Sequence, residues 1–189
     1  TLAAAGLLKQ EIGGPSVNPY EMTEAFKPAE ASAGDDVYRR SIYTNWRRTG
    51  PPPAMLAFDA PRRAVCTAKR ERTDSPLQSL ILLNGVQYVE AARVLGESLY
   101  GNASGNIATM IEEGCLRCLS RKADSSESAI LTHLYEEQLK HFKDHPADAD
   151  ELLKIGQAPH DGQLNSAEIA AATMLAQALL NHVECVTKR

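Results

Sequence analysis

Three helix starts are spelled out in this chain from Ser75 onward. Ser75-Pro76-Leu77-Gln78 sets a capping serine before a proline at the first helical position, with Gln78 placed to reach back from the third. Asp124 with Glu127 and Asn165 with Glu168 repeat the pattern. Each start opens a run whose apolar residues recur every three or four positions, the period of a helix face. The first predicted helix turns Leu77, Leu80, Ile81 and Leu83 inward and breaks at Asn84-Gly85. The second spans Val86 to Tyr100, inward at Val86, Val89, Ala92, Val94 and Leu95, and the loop Gly101–Gly105 follows. The third, Asn106 to Leu119, buries Ile107, Met110, Ile111, Cys115 and Cys118. The fourth carries Ile130, Leu131, Leu134, Tyr135, Leu139 and Phe142, and Pro146 ends it and opens a short helix to Ile155. After a loop to Leu164, the last helix is apolar on nearly every face from Ala167 to Leu180, which predicts a place at the centre of a bundle. Aromatic residues make up only 5% of the chain, too few for the strands of a β-sandwich. The expected fold is mainly α: about six helices in a single domain, residues 1–189, with the helical body at 74–189.

Residues 1–73 read differently. A short N-terminal helix is expected to end at Gly13-Gly14-Pro15, and the opening, with no initiator Met, basic start or cleavage site, reads as a piece cut from a longer protein. From about Gly13 to Thr73 the chain is expected to be irregular and packed over the bundle. Pro51-Pro52-Pro53 favours extended backbone, and the pattern from Tyr38 to Trp46 does not decide between strand and short helix. Nine of the 20 Lys and Arg residues fall in the 37 positions from Asp36 to Arg72, against Asp36, Asp59 and Glu71. The segment carries +6 and the rest of the chain −10. Arg39-Arg40, Arg47-Arg48, Arg62-Arg63 and Lys69-Arg70 alternate with Tyr38, Tyr43, Trp46 and Phe58. Guanidinium groups grip carboxylate, sulfate or phosphate with paired donors, and aromatic rings stack on sugars, so an anionic glycan would use both. The competing reading is that these arginines pin an irregular loop by donating to its carbonyls.

The net charge of −4 argues against a general nucleic-acid binder. The most apolar stretch, Ile169–Leu180, is too short to span a bilayer. Cys115-Leu116-Arg117-Cys118 has redox or metal spacing, but no second pair accompanies it, and both thiols are expected in the core. Glu137, His141 and His145 step by four and would share a helix face suited to a divalent metal, but Pro146 disfavours helical geometry at His145, and a solvated helix end is preferred. No nucleophile elbow, phosphate loop or dinucleotide fingerprint occurs. Asp59 is the single candidate general base, with turn capping or an arginine partner as its alternative.

The run YRRSIYTNWRRTGPPPAMLAFDAPRRAVCTAKRERTDSPLQSLILLN resembles the hallmark of the planctomycete-specific domain of unknown function. GGPSVNPY, VEAARVL, LSRKADSSE and the closing AAATMLAQALLNHVECVTK are similar to further parts of it. The chain departs from the family's pattern at Ala123, His182 and Val183, outside that run. The resemblance implies the C-terminal domain of a large exported protein, in the periplasm or cell envelope, that often carries a planctomycete-type cytochrome c domain. Haem c is then expected on that separate domain and no cofactor in this one, since no Cys-x-x-Cys-His occurs here.

Two functions are expected to compete. One is an accessory or interaction module that docks other domains of its polypeptide, or binds an anionic polysaccharide through Arg39, Arg40, Trp46, Arg47, Arg48, Arg70 and Arg72. The alternative is part of an enzyme site completed by upstream domains, with Asp59 contributing. Buried arginines bonded to backbone would favour the module; arginines and Asp59 lining an open cleft would favour the enzyme or the glycan.

Overall fold

The computed structural model describes residues 1–19, 31–47, 50–62, 65–160, 162 and 164–187. Among these the chain is mainly helical and has no strand, and six helices exceed seven residues, as the capping pattern predicts. The chain divides into two compact units, one of Thr1–Leu7 with Tyr88–Arg189 and one of Leu8–Gln87.

The helical unit is built around α8 (Ser166–Leu180), which packs against α5 (Ile107–Leu119), α6 (Ser125–Asp144), α7 (Pro146–Leu153) and α9 (Val183–Val186). Ten residues of α8 are buried, Ile169, Leu175 and Leu179 among them, which bears out the central position read from its all-round apolarity. Asn165 caps it by accepting from the N–H groups of Ala167 and Glu168. The Glu168 side chain accepts instead from the Tyr100 hydroxyl. The capping box at Asp124 and Glu127 closes in both directions, at 2.8 and 2.9 Å. α4 (Val86–Ala103) meets α8 at Gly96, where a Cβ would lie 2.7 Å from the backbone N of Thr173. That contact brings two helix backbones together with no side chain between them.

α4 runs one turn beyond its predicted end at Tyr100, through Gly101, because Ala103 is buried against the core. It stops at Ser104 and Gly105, both at positive φ. Ile130 of α6 is exposed, contrary to expectation; Tyr135 and Phe142, two turns apart, set the buried line of that helix. The short α9 was not foreseen. α1 (Leu2–Ala5) also ends earlier than expected, at Gly6 with φ 77°, well before Gly13.

The other unit holds the arginine-rich arm. Residues 8–18 are stitched to 37–45 by backbone pairs: Lys9 N–H to Tyr38 O (3.0 Å), Val17 N–H to Tyr43 O (2.8 Å) and Asn45 N–H to Val17 O (2.8 Å). Between Gly34 and Tyr43 the chain forms two short 3-10 turns, Gly34–Tyr38 and Ser41–Tyr43, and isolated bridges pair Arg39 with Lys9 and Thr44 with Val17; neither a strand nor an α-helix forms there. Pro53 starts a helix, α2 (Pro53–Ala57), where the triple proline had suggested extended chain. A proline at the first helical position loses no needed hydrogen bond.

α3 (Pro76–Asn84) forms where predicted, with its capping box, and ends at an extended Gly85. Its rotation is the reverse of the expected one. Gln78 and Leu82 are buried, while Leu77, Leu80 and Leu83 are 55%, 57% and 42% exposed. The cause is polar: the Gln78 amide donates to the carbonyl of Ala57 (2.9 Å) and the hydroxyl of Thr73 (3.1 Å). Loop groups that need a donor turn Gln78 inward, and the leucines one residue out of phase turn outward.

Candidate functional site

Arg39 stands at the end of the first 3-10 turn and is buried, at 6% exposure. Its guanidinium donates to the carbonyl of Pro15 at 3.0 Å and to that of Gly13, and lies over the Tyr43 ring, 4.1 Å from the centroid. The Tyr43 hydroxyl in turn accepts from the N–H of Gly13 (2.9 Å). Gly14 has φ 86°, and a Cβ on it would come within 3.2 Å of Arg39 Nη1, so only glycine leaves the guanidinium this seat. Arg39 is therefore a donor to the irregular chain around it.

Arg70 does similar work in the open. Its Nε donates to the Asp59 carbonyl (2.8 Å) and its Nη2 to the Phe58 carbonyl (2.7 Å), just past the C-terminus of α2. Those carbonyls lack partners in a helix end, and a cation there also suits the helix dipole. Asp59 sits at positive φ (59°), and its carboxylate accepts from the Thr73 N–H (2.7 Å) and from the Thr73 hydroxyl. Through Thr73 it is linked to Gln78. Asp59, Arg70, Thr73 and Gln78 thus form one network that fastens residues 57–59 to the start of α3.

A pocket of about 260 Å³ opens beside this network, lined by Asp59, Arg62, Lys69, Arg70 and Glu71 among others. Three cations and two carboxylates face it, a weaker field than the sequence count suggests. Of the remaining candidates, Arg40, Arg47 and Arg72 are exposed and Trp46 is half-buried. Arg48 lies outside the described residues, as does Arg63. Cys66 is exposed, and the Asn84 amide donates to Leu80 O within its own helix (2.9 Å), so neither joins the Asp59 network by a described bond. A separate shallow groove of about 540 Å³ lies along α3, lined by Asp74, Ser75, Pro76, Ser79, Leu80 and Leu83.

The helical unit contains polar clusters that reading the sequence did not single out. The fully buried Glu90 carboxylate accepts from the N–H groups of Gln157 and Ala158, each at 2.6 Å. Arg93, equally buried, donates to the Ala158 carbonyl (2.7 Å) and to Glu97 (2.9 Å), and His160 Nδ1 meets the same Glu97 oxygen at 2.8 Å. Gly156, at φ 99°, lets the loop pass directly over the Glu90 carboxylate. The available signal was that Glu90, Arg93 and Glu97 fall among Val89, Ala92 and Leu99 on an apolar helix face, where charge must have partners.

Arg121, in the turn after α5, grips Glu127 (2.6 Å) and Glu184 (2.8 Å) together. Those bonds raise the Arg121 pKa further, and Arg121 holds Glu127 down at about 2, with help from the Asp124 N–H. The hydrogen bond to Glu168 raises the Tyr100 pKa, and burial pushes Tyr135 up to about 12. Cys115 is in the core as expected, whereas Cys118 is half-exposed and its thiol meets Cys185 of α9. His141 and His145 stack at 4.8 Å between ring centroids, and His141 Nε2 lies 3.4 Å from Asp148. His145 has φ −130°, outside helical geometry, as Pro146 dictates. No group of three potential metal ligands is found among the described residues, and none of their helices is long and apolar enough to cross a membrane.

A family model, PSD1, described as a protein of unknown function (DUF1553), matches residues 1–135. That span holds the arm and α3 to α5 and stops within α6; the closing helix, also read as similar, lies beyond it. No curated protein and no solved structure matches the chain.

Proposed function

This chain belongs to the PSD1 family of proteins of unknown function, and we propose that it serves as a non-catalytic interaction module that docks a neighbouring domain of its own polypeptide. The observation that carries this reading is the ridge on α3. Leu77, Leu80 and Leu83 recur every third residue along α3 and are all exposed, as is Val86, read as inward, at the start of α4 beyond the extended Gly85. A ridge of that spacing fits the groove of a second helix. Three leucines in line on one helix exceed the scattered exposure ordinary for a surface and mark a place where another apolar face sits. The arm supports the same reading. Arg39 and Arg70 donate to backbone carbonyls, and Asp59 accepts from Thr73, so the groups that suggested chemistry hold the loop that presents α3.

The occupant is an apolar or amphipathic helix of an adjoining domain in a large exported protein, in which haem c resides on a separate domain. The planctomycete resemblance, with its multidomain setting, supports that context. The test is backbone hydrogen exchange of residues 76–86 in this chain alone and in the longer polypeptide. Docking slows exchange there by roughly tenfold or more in the longer form. Equal rates in the two forms would overturn the proposal.

The pocket lined by Arg62, Lys69 and Arg70 favours a second reading, an anionic glycan bound at the rim of the arm. A ligand specific to the native state raises the melting temperature. Heparin and a carboxylated polysaccharide are the probes, and the effect should vanish in the Arg62→Ala/Lys69→Ala variant. No shift with either probe removes this reading and leaves the docking reading intact.

A further inference from the structure

We propose that Cys118 and Cys185 are an oxidisable pair that closes a disulfide between α5 and α9. Four cysteines are present, and the fold sorts them. Cys66 is exposed in the arm unit, Cys115 is buried in the core, and Cys118 and Cys185 are both half-exposed at the margin of that core. The last two lie where α5 and α9 pack together, with their thiols close enough to interact. They are held there by more than their own contact. α9 packs on α5, and Arg121 ties Glu184, the residue before Cys185, to Glu127 of α6 at 2.8 and 2.6 Å. Cys115, one turn before Cys118 on the same side of α5, is buried at 1% exposure and out of reach of an oxidant, whereas Cys118 and Cys185 are both half-exposed.

The roles of the two thiols are unequal. The interaction between the two thiols lowers the Cys185 pKa and, together with burial, raises that of Cys118. Cys185 is then the attacking thiolate. With a low-molecular-weight disulfide as the oxidant, Cys185 Sγ attacks one sulfur, the S–S bond of the oxidant breaks, and one thiolate leaves and takes up a proton. Cys118 then loses its proton and attacks Cys185 Sγ, expelling the second thiolate, which is protonated in turn. Two protein thiols and one disulfide become one protein disulfide and two small thiols, so atoms and electrons balance. The bond would lock the four-residue α9, which follows the central α8, onto α5.

The experiment treats the native, reduced wild-type chain with oxidised glutathione, alkylates the remaining thiols and maps the peptides by mass spectrometry. The expected result is a linked Cys118–Cys185 peptide, with Cys115 alkylated only after unfolding. The melting temperature of the oxidised form should exceed that of the reduced form by several degrees. A Cys115–Cys118 link, or glutathione on Cys118 or Cys185 with no link between them, would overturn the proposal. So would unmodified thiols at both positions after prolonged exposure to the oxidant.

Discussion

Two glycines of α4 should respond oppositely to the same substitution. At Gly96 a Cβ would lie 2.7 Å from Thr173 N and 2.8 Å from the carbonyl carbon and oxygen of Ala172. Non-bonded carbon contacts are comfortable from about 3.5 Å, so the shortfall is about 0.8 Å. The obstructing atoms are main chain of α8, with no rotamer to change, so α4 and α8 must separate along their contact. Forcing a methyl into such a seat costs about 1–3 kcal/mol, and the better helix propensity of alanine returns about 1 kcal/mol. Gly96→Ala is therefore expected to destabilise the helical unit by up to about 2 kcal/mol. Gly101, five residues on, is exposed and a Cβ there meets nothing within 4 Å. Gly101→Ala should stabilise by about 0.5–1 kcal/mol. Thermal unfolding followed by circular dichroism reads both, at about 4 °C per kcal/mol for a body of this size. Equal shifts of the same sign would refute the close α4–α8 contact.

Two further outcomes test the arm and the polar clamp. Arg39→Met should destabilise by about 2–3 kcal/mol, because the bonds of the buried guanidinium to the Gly13 and Pro15 carbonyls are lost, while the neighbouring exposed Arg40→Met should stay within about 0.5 kcal/mol; urea titration separates them. Glu127, held at about 2 against an ordinary 4.5, has a depressed folded-state pKa, so its contribution is present above about pH 4.5 and disappears as pH falls through 2. Melting curves from pH 7 to pH 2.5 should show a shallower loss for Glu127→Gln than for wild type, and identical slopes would exclude the Arg121 clamp as the cause.

Helix existence was legible because caps and apolar spacing are local signals. Ser75, Asp124 and Asn165 each start a helix where the sequence says so. Helix rotation was less legible. In α3 the apolar residues occupy both faces, and the Ala57 carbonyl, 21 positions away, decides which face turns in. α1 ends at Gly6 and α4 at Ser104 and Gly105, all at positive φ and each just past a buried alanine, Ala5 and Ala103. Of the candidate site, Arg39 was read as either ligand or loop donor, and the sequence does not show that its guanidinium donates to the carbonyls of Gly13 and Pro15. The pairings of Glu90 with Gln157 and Ala158, and of Cys118 with Cys185, join positions more than 60 residues apart, a separation that no local pattern records.

The central claim is that the arm's arginines hold a loop in place while α3 does the binding. The most direct test is the dissociation constant between this chain and the remainder of its polypeptide, measured for wild type and for Leu80→Asp. Burying one leucine contributes about 1.5 kcal/mol or more, so the substitution should weaken binding by about tenfold or more, without lowering the melting temperature. An unchanged dissociation constant would contradict the account.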